Sequence, residues 1–407
     1  MELFRSEHKK LWRRTSVRVC VLLCFAYLVI FGDVLSYQWF EFGSANDVTS
    51  AFGSHFDGWT EIRAGQAQAA RYGGLLTDES FRRMVSDLQR YDAEGMESGL
   101  GRSERTLLNG WLSQLYPELE EQDRGLYSIL MAYYVDTSRL TDFYARRDAA
   151  LEDFLRSQGQ WTGPEGELLR GMDAQVEKPF RYRWTSGWQK VLGDALPDMG
   201  IVMALFLAII LSPIFAGEWR SNTAPLLLTM DRGWRCLALA KVLSGLAFTL
   251  ELFALLAVGG VAAQLIWLGT DGWDMPIQAI KLLAVAPWNM LQAEIYEYAF
   301  TLLGVIGFAG VVLLLSALVK STVLALLLSL TAAYGPMVIA QYLPLWAQKA
   351  LDLLPLAGSS ADIFRTNTFH IFGKYVWSPY PLIIVPVLIG LVCIPFAIMK
   401  WSRRQRA

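Results

Sequence analysis

Charged residues are scarce in this chain. Lys, Arg, Asp and Glu make up 18% of its 407 residues, whereas globular domains carry about 25%. They nearly vanish from six apolar stretches of about 18–27 residues, and roughly 20 such residues cross a bilayer as a helix. This pattern excludes a soluble enzyme, a disordered chain and a coiled coil. No basic stripe interleaved with aromatic residues predicts a nucleic-acid partner.

Sequence motifs for common catalytic chemistry are also missing. The chain has no Gly-x-x-x-x-Gly-Lys-Ser/Thr loop, and its only Gly-Lys pair precedes Tyr375. The three histidines, at 8, 55 and 370, share no metal-binding spacing. A polytopic enzyme would need polar groups in its spans, where only Asp33 and Glu251 stand, without visible partners. The sequence therefore favours a protein that is not an enzyme and binds no cofactor itself.

Cysteines are few and lie only near or within the apolar stretches. None of the four, at 20, 24, 236 and 393, falls in residues 38–193, and that region has no Asn-x-Ser/Thr acceptor. Both absences favour a bacterial plasma membrane.

Six membrane-spanning helices are predicted. The first is a retained anchor, because it is longer than the apolar core of a secretory signal and lacks a cleavage site. The predicted spans are residues 19–37, 199–216, 242–268, 298–319, 321–346 and 381–399.

Basic residues cluster at one set of span ends. The amphipathic start at 1–18 carries six Lys or Arg, the segment 217–241 carries four, and the tail 400–407 carries four. The positive-inside rule places these segments, and hence both termini, in the cytoplasm. We therefore predict a multi-pass plasma-membrane protein embedded in the lipid bilayer.

Residues 38–193 are predicted to form an extracytoplasmic helical domain with its own core. The region holds 17 Lys and Arg against 24 Asp and Glu, a difference of −7. Apolar residues recur at helical spacing over 76–91, 126–134 and 143–155, and Gly159–Pro164 ends the last pattern.

Residues 194–407 are predicted to form a five-helix transmembrane domain with an outer hairpin at 345–372. Residues 273–292 are expected to lie in the outer interface as an amphipathic segment. Glu294 and Glu297 follow, either around an outer vestibule or, as we expect, at a solvated helix end.

The link between spans two and three, at 218–234, is short, amphipathic and charged at both ends. Thr223 and Pro225 are typical of a helix start, and three leucines follow at 226–228. Such a helix suits docking into a groove on a soluble partner; an ordinary interfacial linker is the alternative.

This link resembles the coupling-helix region of type-2 exporter permeases of the ATP-binding cassette (ABC) superfamily. The residues that carry the resemblance are Glu218, Asn222, Thr223, Leu226, Leu227, Arg232, Ala240 and Lys241. The segment 1–18 also resembles that family's elbow helix, and the six spans and outer domain match some of its branches.

The resemblance implies a permease whose ATP and Mg are bound by a separate ABC ATPase subunit. This chain would pair with a second copy or a sister permease and export an amphipathic or hydrophobic cargo, such as a peptide antibiotic or a lipid-like molecule. The implied ATPase-coupling residues are Glu218, Arg220, Asn222, Thr223, Leu226, Leu227, Leu228 and Arg232. The competing hypothesis is a membrane-anchored ligand-binding or sensing protein without transport.

Glu251 lies about 15 Å along span three from Lys241. A carboxylate deep in a span usually faces a cavity or a partner. We expect it either to line a translocation path or subunit seam, or to bond a neighbouring helix for packing.

Overall fold

The computed structural model describes most of the chain. The described residues are 2–27, 66–67, 69–93, 102–118, 132, 135–184, 187–188, 191–192, 196–221, 223, 233–261, 265–266 and 268–403.

The fold is mainly helical, as predicted. The helices are, in chain order, α1 (Glu2–Arg13), α2 (Thr15–Tyr27), α3 (Asp78–Ala93), α4 (Arg102–Leu115), α5 (Phe143–Ser157), α6 (Gly163–Asp173), α7 (Leu196–Leu211), α8 (Pro213–Arg220), α9 (Gly233–Leu256), α10 (Met290–Leu318), α11 (Thr322–Ala340), α12 (Leu345–Asp352) and α13 (Pro379–Arg403).

Five helices in the described part of the chain are long and apolar enough to cross a membrane. The protein is therefore a multi-pass membrane-embedded protein. These helices are Met199–Arg220, formed by α7 and α8, and Arg235–Gly259, Met290–Leu318, Thr322–Ala340 and Pro379–Ser402. The first predicted span, 19–37, is described only to Tyr27, where α2 is a shorter apolar helix.

Two spans start earlier than the charge pattern predicted. α9 begins at Gly233, so that Lys241 lies within the helix rather than at its end. α10 begins at Met290, because Asn289 and Gln292 form a reciprocal capping box ahead of the apolar run. Charged residues indicate where side chains reach water, whereas capping interactions determine where the helical backbone begins and ends.

α10 packs closely against α13. A Cβ atom at Gly310 would lie 2.8 Å from the Gly390 backbone, and one at Gly307 would lie 2.3 Å from the Pro386 carbonyl oxygen. Glycines allow such close backbone contact in a membrane bundle. α7, α9 and α10 share an apolar core, which includes Leu207 and Phe308.

Residues from three separate parts of the chain form one core at one end of the bundle, which we call the domain end. α3, α4 and α5 supply Phe81, Trp111 and Phe143; the connections before α10 and α13 supply Met275 and Trp377. The predicted helical domain is thus completed by later segments. In particular, residues 273–292 are largely buried in this core rather than exposed at an interface.

Two small antiparallel sheets accompany the helices and were not predicted. β1 (Gly74–Leu75) pairs with β2 (Arg181–Tyr182), and β3 (Thr368–Ile371) pairs with β4 (Lys374–Trp377). The predicted outer hairpin at 345–372 is α12, a connection at 353–367 that contains a 3-10 helix (Ser360–Phe364), and most of a β-hairpin. Its tip is left-handed at both Phe372 (φ 49°) and Gly373 (φ 80°).

Candidate functional site

The end of the bundle opposite the domain end, which we call the α1 end, carries a buried group of charged side chains. We define the basal ion cluster as Glu7, Lys10, Glu218 and Lys241. The Lys241 ammonium lies 2.7 Å from a Glu218 carboxylate oxygen and 2.8 Å from one of Glu7. Lys10 reaches the same Glu218 oxygen at 3.0 Å. The cluster therefore joins α1, α8 and α9.

The central pair of the basal ion cluster, Glu218 and Lys241, is shielded from water, whereas Lys10 at its edge is half exposed. The Lys241 side chain is 2% exposed and that of Glu218 is 7% exposed. Charges buried to this extent are stable only when paired and hydrogen-bonded, and each of these two groups has at least two partners. Removing Lys241 takes the buried cation away from both Glu7 and Glu218 and leaves Glu218 paired with Lys10, whose side chain is 50% exposed.

Glu218 places the basal ion cluster at the start of the link. Pro213 stands in the first turn of α8, which ends at Arg220 with Glu218 in its last turn. The Thr223 amide donates to the Glu218 carbonyl at 3.1 Å, and the Thr223 hydroxyl donates to the Glu218 carboxylate. Thr223 thus contacts Glu218 directly, while Arg220 is exposed.

The other predicted ATPase-coupling residues lie outside the described residues. They are Asn222, Leu226, Leu227, Leu228 and Arg232. Of the predicted set, the structure therefore brings together Glu218 and Thr223, beside Lys241.

Glu251 contacts α1. Its carboxylate lies 3.0 Å from His8 Nε2 and accepts a hydrogen bond from Trp12 Nε1 at 2.8 Å. The Trp12 ring also packs against Phe248, with ring centroids 5.1 Å apart. Because Glu251 keeps 46% of its side chain exposed, it both holds α1 and presents a polar surface on a membrane helix.

Sequence reasoning missed the contribution of α1 to this site. Glu7 is one of two acidic residues, with Glu2, on a basic helix that was predicted to be only an interfacial elbow. The sequence did offer a signal for this contact: an acidic residue within a basic segment, and a lysine at the start of span three. The pairing itself depends on where α1 lies along α9, which the sequence pattern does not specify.

Glu294 and Glu297 differ from the expected solvated helix end. They are 3% and 0% exposed, and their carboxylate oxygens have no hydrogen-bond partner of good geometry among the described residues. The Tyr298 and Ser360 side chains lie beside them.

Farther from the spans, burial raises the pKa of Asp352, and the nearby Asp362 raises it further.

At the domain end a buried arginine joins two segments. Arg147 of α5 is fully buried, and its guanidinium lies 2.5 Å from Asp173. It also donates to the carbonyls of Leu282 and Ala284, both at 3.1 Å. Arg147 therefore fastens α5 and α6 to the connection between α9 and α10.

No metal or sequence relative identifies the site. Within the described ranges, no group of three or more His, Cys, Asp or Glu is arranged to hold a metal ion. No protein family, curated protein or solved structure matches this chain. The fold and the basal ion cluster thus define the chain only as a helical multi-pass membrane protein with a charged junction at its α1 end.

Proposed function

We propose that this chain is the membrane-spanning permease subunit of an ATP-driven ABC exporter. A separate ATPase subunit pushes the link at 218–234, and the chain translocates an amphipathic or hydrophobic cargo together with a second copy or sister permease. The basal ion cluster supports this proposal most directly. It lies at the base of the link and joins it to α1 and α9.

A topology of six crossings with both termini in the cytoplasm accompanies the proposal. α1 bonds to α9 at the α1 end of the bundle, whereas the described residues between 69 and 192 contribute to the core at the domain end. The chain must pass from one end to the other between them. α2 follows that course, because a Cβ at Gly259 would lie 2.9 Å from the Phe25 ring. The basic residues of α1 favour a cytoplasmic α1 end.

The mechanism is mechanical. A displacement of the link acts on Glu218, whose carboxylate is bonded to Lys241 of α9 and Lys10 of α1. Buried packed junctions transmit such motion as rigid-body shifts between discrete states. Movement of α9 carries Glu251, whose exposed carboxylate then lies at the path or at the seam between two permease copies.

Affinity purification of the full chain from its native membrane tests the proposal. We expect an ATPase containing a Gly-x-x-x-x-Gly-Lys-Ser/Thr loop to co-purify, and the triple variant Leu226→Ala, Leu227→Ala, Leu228→Ala to lose it. The matched control replaces three exposed leucines of α11, Leu324, Leu327 and Leu328, by alanine. We expect the ATPase to co-purify with this control variant, because the three leucines lie outside the link, on the apolar helix α11.

Equal recovery of the ATPase from both triple variants contradicts the proposal. Absence of any such ATPase from the wild-type complex also contradicts it. In that case the chain is better explained as a membrane-anchored ligand-binding or sensing protein, which would bind its ligand at the domain end.

A further inference from the structure

Two carboxyl groups are buried near the start of α10, and we call Glu294 and Glu297 the glutamate pair. Their spacing of three residues places both side chains on one face of the helix. They are 3% and 0% exposed, and their four carboxylate oxygens are buried without a hydrogen-bond partner of good geometry among the described residues. An ionised carboxylate in such surroundings is strongly disfavoured, and the group takes up a proton instead.

No cation compensates the glutamate pair in the part of the chain that the structure describes, since neither side chain forms an ion pair there. The 3-10 helix Ser360–Phe364, which packs against α10, provides a contrast. Its Asp362 is 6% exposed, and the carboxylate accepts hydrogen bonds from Arg365 and Asn367, both at 3.2 Å. The fold therefore supplies charge-compensating donors to one buried carboxylate and none to the glutamate pair.

The groups that face the glutamate pair are neutral or negatively charged. The Tyr298 and Ser360 hydroxyls lie beside it and carry no charge at neutral pH. The Tyr296 hydroxyl donates to the Pro379 carbonyl at 3.1 Å and is therefore engaged elsewhere. The charged group on the facing 3-10 helix is Asp362, which is itself an anion. Two neighbouring carboxylates also repel each other, so that ionisation of both is doubly disfavoured.

The surroundings of the glutamate pair suit a proton better than a larger ligand. Within the described ranges, no group of three or more His, Cys, Asp or Glu is arranged to hold a metal ion. The pair's oxygens are also buried from solvent. A proton needs neither a larger set of ligands nor a cavity.

We propose that Glu294 and Glu297 form a proton-binding site, which holds at least one proton at neutral pH. The bound proton neutralises the contact between α10 and the 3-10 helix and allows the two elements to pack. Its release to solvent would place negative charge opposite Asp362 and weaken that contact. The inference rests on burial and hydrogen bonding and needs no ATPase partner, so its test and that of the proposed function are independent.

Infrared spectroscopy of the full chain in lipid bilayers tests the proposal, because a protonated carboxyl has a C=O stretching band distinct from the bands of a carboxylate. At neutral pH we expect this band in the wild type and its loss in the double variant Glu294→Gln, Glu297→Gln. The matched control is Glu79→Gln, Glu167→Gln, which removes two exposed carboxyls and should keep the band. Circular dichroism checks that each variant is folded.

Thermal unfolding at several pH values provides a second measurement. The folded protein retains a proton that the unfolded chain releases at neutral pH, so raising the pH favours the unfolded chain. We expect the wild-type melting temperature to fall as the pH rises above neutral, and to fall less in the double glutamine variant.

Three results would overturn the proposal. One is the absence of the carboxyl band from the wild type at neutral pH, which needs no variant to fold. Another is the same band in the wild type and in the double variant at 294 and 297. The third is an identical pH dependence of the melting temperature in these two proteins.

Discussion

At the scale of single residues, Lys241 is the most constrained group at the α1 end. Its ammonium is almost completely buried and lies between two carboxylates from different helices. Coulombic attraction between such groups is strong only because water is excluded. The ion pairs of Lys241 therefore help to fix the position of α9 against α1 and α8. Complete pairing offsets the free-energy cost of removing these charges from water.

Replacing Lys241 by Met should destabilise the protein by about 3–5 kcal/mol, because Glu7 and Glu218 lose their shared partner inside the protein. Thermal unfolding in detergent measures the change. Lys400→Met, at an exposed position on α13, is the control and should shift stability by less than about 0.5 kcal/mol. The double variant Glu218→Gln, Lys241→Met should recover part of the loss. A wild-type melting temperature for Lys241→Met would contradict this account of the cluster.

Arg147 and its neighbour Arg146 allow a matched comparison at the domain end. Arg147→Met should cost about 3–5 kcal/mol, because it leaves Asp173 and two carbonyls without their buried donor. Arg146→Met removes a partly exposed pair with Glu118 and should cost about 1 kcal/mol or less. Limited proteolysis, followed at cleavage sites within residues 69–192, measures the difference in protection between the two variants. Equal protection of the two variants would show that the Arg147 contacts do not hold the segments together.

At the scale of elements, helix positions were largely predictable and helix ends were not. α3 (Asp78–Ala93) covers most of the pattern predicted over 76–91, and its start is set by the Thr77 and Ser80 side chains, which cap the first turn. α10 carries an equally local signal, the Asn289–Gln292 capping box, which its two following glutamates obscured. Those glutamates suggested a solvated end, yet tertiary packing buries both.

α1 illustrates what periodicity cannot supply. Its amphipathic pattern predicts a helix at the interface, and the helix is present. Its docking against α9 depends on polar contacts between residues far apart in the chain, Glu7 with Lys241 and His8 with Glu251. Such pairs become visible only when the helices are placed together.

The contact between α1 and α9 predicts a graded response at Glu251. Glu251→Gln can still accept the Trp12 hydrogen bond but loses the charge that faces His8. Because the site is half exposed, we expect a stability loss of about 1 kcal/mol or less but a clear fall in cargo transport. Transport into membrane vesicles with the ATPase present measures it. Unchanged transport with an unchanged cargo range would remove Glu251 from the path and leave it a packing role.

At the scale of the whole molecule, the composite core was the least predictable feature. The pattern of residues 38–193 suggested a self-sufficient domain, whereas Met275 and Trp377, each beyond at least one span, complete its core. Nothing local in these later segments specifies that partner. Their burial does indicate that the connections between spans three and four and between five and six lie at one end of the bundle.

The sidedness that we propose is open to a direct test. In a cysteine-free background, Ser157→Cys on the domain end should react with an impermeant maleimide in intact cells. Ser6→Cys on α1 should react only after permeabilisation; both positions are exposed. Labelling of the two cysteines from the same side would contradict the six-crossing topology.

The most direct measurement places a photoreactive amino acid at Leu227 of the full chain in its native membrane and identifies what it cross-links. We expect an adduct with a soluble ATPase that carries a Gly-x-x-x-x-Gly-Lys-Ser/Thr loop, and none from the same probe at Leu345, an exposed position on α12. An adduct with lipid alone at Leu227, or the same ATPase adduct at Leu345, would contradict a link that is moved by a nucleotide-driven partner.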